Sequence, residues 1–328
     1  MKYINLGSSS IKISSIGLGC MGMTHAYGAP SDEGEMAKII HSAVDMGVTF
    51  FDTAEGYIGA DSQGRTLYNE ELVGKALKPY RNKVVIATKF GIHSGADHTI
   101  ITDSRPEVIR KSIEGSLKRL GTDYIDLYYQ HRIDKNIPPE EIAGVMQNLI
   151  DEGIIRAWGV SEAGEEYIRR ADKVCHISAV QNRYSMMYRS YESLLPVLDE
   201  LSITFVAHSP MANGFLTGRY DKNSTFNEQG DYRNNMPQFK ADAIDKNQEL
   251  LGMLTRIGNE KNATPAQISL AWLMGKGIVP IPGTRKLTRL EENMNSVNVA
   301  LSTEEMADID RLLNTMEMSE VFGGNKVK

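Results

Sequence analysis

Residues 84–89, Val-Val-Ile-Ala-Thr-Lys, decide the fold, because they form a short apolar run that ends on a charged side chain. Two other segments have the same form. Residues 48–52 read Val-Thr-Phe-Phe-Asp, and residues 124–131 read Tyr-Ile-Asp-Leu-Tyr-Tyr-Gln-His. Short apolar runs of this kind are typical of buried parallel strands. Each segment therefore predicts a strand with a polar group, Asp52, Lys89 or His131, at its carboxyl end.

Further apolar runs alternate with amphipathic helical patterns along most of the chain. The other predicted strands lie at residues 16–19, 154–160, 177–181, 203–207 and 278–281. Such alternation predicts βα units and a parallel sheet. The chain has 328 residues, of which 41% are hydrophobic, and a single (β/α)8 barrel needs about 250 residues before insertions. We therefore predict one α/β domain over residues 1–328, a (β/α)8 TIM barrel.

Several segments fall outside the alternation. Residues 1–14 predict an N-terminal β-hairpin that turns at three serines, 8–10. Residues 211–240 lack periodicity and follow strand seven, so they predict a long loop over the mouth of the barrel. An extra helix is expected at 242–261, and a C-terminal helix and tail at 302–328. A capping box is predicted at Ser104, while Thr264 is expected to cap another helix and Ser302 to start the last one.

Composition and charge exclude several classes of protein. The net charge is −6 and there is no Lys/Arg run, so no nucleic-acid partner is expected. No stretch approaches about 18 apolar residues, so no membrane span is expected. Cys20 and Cys175 are far apart and predict small buried residues in a reducing, cytoplasmic protein. The histidines at 25, 93 and 98 lack metal-site spacing, so no metal is predicted. The sequence carries no indication of oligomeric state.

The string Gly-Leu-Gly-Cys-Met-Gly at residues 17–22 matches the G-x-G-x-x-G pattern of dinucleotide-binding proteins. That function requires a helix to begin at the third glycine, so that its amides meet the pyrophosphate. Here Gly28 and Pro30 intervene before the first predicted helix, which begins near Asp32. Small residues at a tight strand end are the interpretation we favour. A Rossmann-type dehydrogenase is the alternative.

In a barrel, Asp52, Lys89 and His131 would meet at the carboxyl-terminal mouth, together with Tyr57 from the loop after Asp52. A tyrosine hydroxyl, with a pKa near 10, keeps its proton at neutral pH and could donate it to a carbonyl oxygen. An adjacent Lys89 ammonium would lower the Tyr57 pKa, and Asp52 could hold Lys89 charged. His131 could donate a second hydrogen bond. Each residue alone is more often structural, and only their joint position predicts carbonyl reduction.

Several separated motifs carry a family resemblance. Residues 51–57 (FDTAEGY), 69–74 (NEELVG), 87–89 (ATK), 130–134 (QHRID) and 159–161 (GVS) are similar, in the same order, to motifs of the aldo-keto reductase superfamily. The resemblance runs from about residue 16 to 300. It implies a (β/α)8 barrel that binds a nicotinamide cofactor without a Rossmann domain. It also implies that Tyr57, Asp52, Lys89 and His131 form the catalytic tetrad.

The resemblance further implies the cofactor-binding residues. Asp52, Ser161 and Gln181 would lie at the nicotinamide end, and residues 208–211 along the pyrophosphate. The adenine end would lie at residues 283–293. The full set of implied cofactor-binding residues is Asp52, Ser161, Gln181, His208, Ser209, Pro210, Met211, Gly283, Thr284, Arg285, Arg289, Glu292 and Asn293. The helix that begins after strand eight favours phosphate through its free amides. The planar fork of Arg289 suits a 2′-phosphate, which favours NADPH over NADH.

Three positions depart from the family pattern: His208 replaces a common aromatic residue, Glu162 a common asparagine, and the link at residues 58–68 is longer than usual. The predicted function is an NADPH-dependent reductase of small aldehydes or ketones, with Tyr57 as general acid. The alternative is a cofactor-bound redox sensor or channel-associated subunit on the same barrel. Very slow cofactor release across substrates would favour that alternative.

Overall fold

Fourteen strands are found in residues 1–95 and 99–321, the part of the chain that a computed structural model describes. In chain order they are β1 (Tyr3–Asn5), β2 (Lys12–Ser14), β3 (Leu18–Gly19), β4 (Phe50–Asp52), β5 (Ile58–Ala60), β6 (Thr66–Tyr68), β7 (Val85–Phe90), β8 (Ile92–Ser94), β9 (Ile100–Thr102), β10 (Leu127–Gln130), β11 (Trp158–Ser161), β12 (Ala179–Arg183), β13 (Thr204–His208) and β14 (Val279–Pro280).

Eleven α-helices accompany these strands in the same described ranges. They are α1 (Glu33–Asp45), α2 (Asn69–Leu77), α3 (Pro106–Leu120), α4 (Pro139–Asp151), α5 (Glu165–Asp172), α6 (Leu195–Glu200), α7 (Ala241–Lys246), α8 (Gln248–Lys261), α9 (Pro265–Gly275), α10 (Leu287–Asn295) and α11 (Thr303–Thr315). None of the helices in the described ranges is long and apolar enough to cross a membrane.

Eight parallel strands form one sheet in the order β3-β4-β7-β10-β11-β12-β13-β14. The first and last strands also meet, since the amide of Gly17 donates to the Pro280 carbonyl at 2.9 Å and that of Gly19 to Pro282 at 3.3 Å. These bonds close the sheet, and the predicted (β/α)8 barrel is confirmed. The N-terminal hairpin is confirmed as well, because β1 and β2 pair antiparallel.

Strand alternation explains why polar groups gather at one end of the barrel. Successive side chains of a strand point to opposite faces, so residues two apart share a face. Val85 and Ala87 belong to the apolar cluster inside the barrel, and Lys89 therefore continues the same inward column. Phe50 leads to Asp52 on β4 in the same way. Each inward column is thus apolar in its lower part and polar at the carboxyl end.

The hairpin β1–β2 closes the opposite end of the barrel. Leu6, Ile11 and Ile13 belong to the same interior cluster as the inward residues of the strands. The amide of Gly7 donates to the hydroxyl of Thr204 at 2.7 Å, at the amino end of β13. The barrel is therefore sealed at its amino-terminal end, which leaves the carboxyl-terminal end for a site.

The glycine string at residues 17–22 is explained by barrel closure. A Cβ at Gly17 would lie 2.7 Å from Phe50 Cδ1, and one at Gly19 would lie 2.7 Å from the Ile281 carbonyl oxygen. Real Cβ atoms do not approach so closely. Only glycine therefore fits at these two positions, where residues 17–19 pack against β4 and the segment that follows β14. No α-helix begins at Gly22; a 3-10 turn spans Met21–Met23, and α1 starts at Glu33. The helix that a dinucleotide fingerprint requires is absent there.

Two local predictions were wrong. The capping box at Ser104 does not form, because α3 begins at Pro106 and its N-cap, Arg105, makes no side-chain capping bond. The Ser104 hydroxyl instead accepts a hydrogen bond from Gln130 Nε2 at 3.1 Å. The helix expected at 242–261 is two helices, α7 and α8, interrupted at Asn247, whose Nδ2 bonds the Ala243 carbonyl.

Other local predictions hold, and some fall outside the described chain. Thr264 and Ser302 are the N-caps of α9 and α11, as predicted, and each forms a capping box. Cys20 and Cys175 are both buried free thiols. The hairpins β5–β6 and β8–β9, which the sequence did not predict, follow β4 and β7. His98 and the end of the predicted tail, residues 322–328, lie outside the described residues.

Candidate active site

A buried ion pair lies at the carboxyl-terminal end of the barrel. Lys89 Nζ lies 2.5 Å from Asp52 Oδ1, and both side chains are almost fully buried. The same ammonium donates to the Thr53 carbonyl at 2.8 Å and to the hydroxyl oxygen of Tyr57 at 3.0 Å. All three Lys89 donors are therefore used, and the Tyr57 hydroxyl keeps its own hydrogen for another acceptor.

Asp52 is fixed from its other side by Gln181. Gln181 Nε2 donates to Asp52 Oδ2 at 2.7 Å, so both carboxylate oxygens have partners. Gln181 lies on β12, on the far side of the barrel interior from β4. A buried ion pair is costly unless further hydrogen bonds satisfy its polar atoms. Here the carboxylate and the ammonium are both satisfied, which favours a rigid arrangement.

The pKa of Tyr57 is raised rather than lowered. Burial raises it, while the positive charge of Lys89 lowers it, and burial has the larger effect. The lowering effect expected of Lys89 is present, but the expectation considered the ammonium without the loss of solvent, which has the larger effect. Burial lowers the pKa of Lys89, but the Asp52 carboxylate and Tyr57 together raise it above its usual value. The ammonium and the protonated phenol are both the dominant forms at neutral pH.

His131 lies beside the phenol. The two rings meet edge to face with their centroids 5.6 Å apart. Burial and the positive charges of Arg132 and Lys89 hold the pKa of His131 well below its usual value. The imidazole is therefore neutral near pH 7. Its Nδ1 is buried and has no hydrogen-bond partner among the described residues, so the ring retains capacity to bind a further group.

The loop that carries Tyr57 is anchored from below. The Thr53 hydroxyl donates to Asn69 Oδ1 at 2.7 Å, and the Asn69 amide donates to the Tyr57 carbonyl at 3.0 Å. Asn69 Nδ2 donates to the carbonyl of Cys20, the residue that follows β3, at 2.9 Å. The side chain at the start of α2 thus joins three segments under the phenol. The motif at residues 69–74 signalled this position but not its contacts.

A cleft of about 800 Å³ opens above these groups. It extends from Tyr57 and His131, past residues 208–211, to the loop after β14. All but one of the predicted cofactor residues line it: Asp52, Gln181, His208, Ser209, Pro210, Met211, Gly283, Thr284, Arg285, Arg289, Glu292 and Asn293. Ser161 does not, since it is 1% exposed and its hydroxyl lies 3.4 Å from Arg132 Nη1, a residue that does line the cleft.

The two unusual residues of the family comparison are bonded to each other. His208 Nε2 lies 2.7 Å from Glu162 Oε1, and Glu162 adopts a left-handed backbone with φ of 56°. Burial lowers the pKa of His208, although Glu162 opposes this. Burial raises the pKa of Glu162, but the bond to His208 and nearby charges lower it to about 2. Glu162 is thus a carboxylate that accepts from a neutral His208.

The far end of the cleft is basic. Helix α10 begins at Leu287 without a side-chain cap, beside Lys286 and Arg289. Glu292 accepts a hydrogen bond from Arg219 Nη2 at 2.6 Å. Arg285 is used internally, because its guanidinium donates to the carbonyls of Tyr27 and Ala29. These two hydrogen bonds join the loop after β14 to the loop after β3, and the sequence did not predict them.

The segment 211–240 contributes another wall. Its Tyr232 amide donates to the Ala26 carbonyl at 3.0 Å, and Asn213 Nδ2 donates to the Tyr27 hydroxyl at 2.9 Å. Asn213, Tyr220, Phe226, Tyr232, Arg233 and Met236 line the cleft. The wall therefore covers the cleft by contact with residues 26–31.

Within residues 1–95 and 99–321, no group of three or more His, Cys, Asp or Glu side chains could hold a metal ion.

The barrel and the tetrad geometry define an oxidoreductase of the aldo-keto reductase type. Comparison with known proteins agrees, because residues 15–314 match the aldo/keto reductase family. A probable aldo-keto reductase 1 from Glycine max is 38% identical over 330 residues, which cover 98% of this chain and 90% of that protein. This chain belongs to the aldo/keto reductase family.

Solved structures of the family have the same fold. A glycerol dehydrogenase, AKR11B4 from Gluconobacter oxydans, aligns over 99% of both chains with a TM-score of 0.85 and 26% identity. A thermostable aldo-keto reductase, Tm1743, solved with the inhibitor epalrestat, aligns over 95% of this chain and 100% of its own with a TM-score of 0.73 and 30% identity. The two alignments thus cover nearly the whole of this chain.

Proposed function

We propose that the protein is an NADPH-dependent reductase that converts aldehydes or ketones to alcohols, with Tyr57 as the general acid. The observation that carries this proposal is the hydrogen bond from buried Lys89 Nζ to the Tyr57 oxygen. Because the ammonium occupies the oxygen lone pair, the phenol hydrogen is free to point into the cleft. A donor in that position can protonate an alkoxide as it forms.

The other three residues act on the substrate or on Tyr57. Asp52 holds Lys89 charged, so that positive charge stabilises the phenolate left after proton transfer. Neutral His131 borders the same part of the cleft and can donate one hydrogen bond to the carbonyl oxygen. Two donors aimed at one oxygen stabilise the charge that develops on it. We propose that Lys89 and Asp52 are positioning residues and that Tyr57 and His131 touch the substrate.

The cleft fits an extended dinucleotide. When bound, a reduced nicotinamide supplies the hydride. Gln181 and the backbone of residues 208–211 would hold its ring end. Gly283 suits close contact between the chain segments, since a Cβ there would lie 2.8 Å from the Gly19 carbonyl oxygen. The uncapped start of α10, together with Arg289, suits phosphate groups.

The preference for NADPH is expected to depend on Arg289. We predict that Arg289→Gln raises the dissociation constant of NADPH by about tenfold or more, because a charged fork to phosphate is lost. Binding of NADH should change little. Fluorescence titration of both cofactors measures this. Arg256→Gln, an equal charge change on α8, is the control, and an equal loss for both cofactors would contradict the 2′-phosphate role.

The proposed function is tested by NADPH oxidation with a panel of aromatic, aliphatic and sugar aldehydes, with NADH as the cofactor control. We expect multiple turnovers with at least one aldehyde class and faster rates with NADPH. Cofactor that binds but is consumed only once per protein molecule, with release slow for every substrate, would instead support a redox sensor.

A further inference from the structure

Arg132 lies at the reacting end of the cleft and has no assigned role. It follows His131 directly and lines the cleft together with His131 and Tyr57. One nitrogen, Nη1, donates to the His131 carbonyl at 2.6 Å and lies 3.4 Å from the Ser161 hydroxyl. These contacts fix the guanidinium beside the imidazole. They use one of its three nitrogens, so the planar fork keeps donors for another partner.

The charge of Arg132 is not matched by an ion pair. No carboxylate of the described chain lies within 4 Å of its guanidinium, unlike the arginines at 119, 219 and 233. The charge of Arg132 helps to lower the pKa of Glu162, but both oxygens of that carboxylate accept hydrogen bonds from other residues. Glu162 Oε1 contacts His208 and the Arg183 amide, and Oε2 accepts from the Tyr191 hydroxyl. Arg132 therefore brings to the cleft a guanidinium without a direct carboxylate partner among residues 1–95 and 99–321, although the nearby Glu162 carboxylate offsets part of its charge.

A second guanidinium strengthens this charge. Arg183 also lines the cleft, with its guanidinium carbon 4.9 Å from the centre of the Tyr188 ring. Burial lowers the pKa of Arg183, the Glu162 carboxylate opposes this, and the charge of Arg132 adds a smaller decrease, so the two guanidinium groups are close enough to interact. Three acidic residues in the described ranges line the cleft: Asp52 and Glu292 are paired with Lys89 and Arg219, and Glu228 opposes the effect of burial, which lowers the pKa of Arg285 at the far end. Near Tyr57 the cations Lys89, Arg132 and Arg183 outnumber the carboxylates of Asp52 and Glu162 by one, and this excess favours an anionic ligand.

An apolar wall accompanies the basic one. Ile92 and Ile100, on the β8–β9 hairpin, line the same cleft. Ile92 lies beside the Tyr57 loop, since a Cβ at Gly56 would lie 3.4 Å from Ile92 Cγ1. A ligand that carries both a hydrocarbon part and an anionic group would match these two walls. A sugar with neutral hydroxyls would leave the guanidinium without a charged partner.

We infer that Arg132 is a substrate-binding residue and that the preferred substrates are aldehydes or ketones bearing a carboxylate. The inference rests on the proposed reductase function. The planar guanidinium would hold the carboxylate through paired N–H···O bonds while the carbonyl oxygen meets Tyr57 and His131. Such anchoring fixes the carbonyl and lowers KM for the charged substrate.

The test compares substrates that differ only in charge. We expect kcat/KM for NADPH-dependent reduction of 3- or 4-carboxybenzaldehyde to exceed that of benzaldehyde by about tenfold or more, because one charge-assisted pair is gained. In Arg132→Gln this ratio should fall to about one, mainly through KM, and Arg132→Lys should restore part of it. Arg256→Gln, on the exposed face of α8, should keep the wild-type ratio and controls for net charge.

Four results would overturn the inference. A wild-type ratio near one, with benzaldehyde still reduced, would overturn the carboxylate preference and leave the reductase function intact. A ratio unchanged in Arg132→Gln would remove the role of this residue. A rise of about tenfold in the NADPH dissociation constant of Arg132→Gln would assign the guanidinium to cofactor binding instead. Failure to reduce any aldehyde would overturn the proposed function itself, and the inference with it.

Discussion

Replacement of Tyr57 by phenylalanine is expected to lower kcat/KM for aldehyde reduction by about 10²–10⁴-fold, the usual contribution of a general acid. The variant loses only the hydroxyl that accepts from Lys89 at 3.0 Å, so the ring should stay against His131. The dissociation constant of NADPH should change by less than about threefold, since the hydroxyl is assigned to the substrate and not to the cofactor. Initial rates and fluorescence titration measure the two quantities.

A matched control separates the hydroxyl at this site from hydroxyl loss in general. Tyr3→Phe makes the same chemical change on the exposed hairpin strand β1, where the hydroxyl donates to the Gly47 carbonyl. Its rate should equal that of the wild type. Turnover of Tyr57→Phe within a factor of about three of the wild type would show that another group supplies the proton.

Replacement of Lys89 by methionine is expected to reduce both stability and activity. The change leaves Asp52 as an unpaired carboxylate in a buried site, and removal of one partner of a buried pair costs about 3–5 kcal/mol of unfolding free energy. Activity should fall as well, because no cation stabilises the phenolate of Tyr57. Urea denaturation and initial rates measure the two losses.

The double variant Asp52→Asn with Lys89→Met distinguishes these effects. It removes the unpaired carboxylate, while the amide can still bond Gln181, so part of the lost stability should return. Activity should remain low, since the ammonium is still absent. A Lys89→Met protein that unfolds within about 1 kcal/mol of the wild type would contradict the view that the pair is buried and coupled.

The barrel could be predicted from the sequence because its strands are apolar runs between well-marked helices. The inward columns that end at Asp52 and Lys89 follow from alternation alone. The hairpins β5–β6 and β8–β9 could not be predicted, because their strands have three residues each, too few to show a periodic pattern. Such short strands are stable only in the folded chain, where they pair with each other at the end of the barrel.

The hydrogen-bond partners of individual side chains are the other feature that could not be predicted from the sequence. Ser104 has the spacing of a capping residue, but a long-range bond to Gln130 competes for its hydroxyl. Similarly, Ser161 matches a cofactor position by motif yet is buried beneath the cleft near Arg132. The Glu162–His208 bond joins residues 46 apart, and no local pattern could predict it. Motifs identify residue types, whereas competition between long-range partners decides what each side chain contacts.

The pH dependence of kcat/KM for aldehyde reduction by NADPH tests most directly whether the phenol is the acid. A general acid must be protonated, so activity is lost as pH rises through its pKa. Burial raises the Tyr57 pKa and lowers that of His131. If Tyr57 is the acid, kcat/KM should stay constant through neutral pH and decline only above about pH 10. A decline centred near pH 6.5 that disappears in His131→Gln would contradict it and assign the proton to the imidazole.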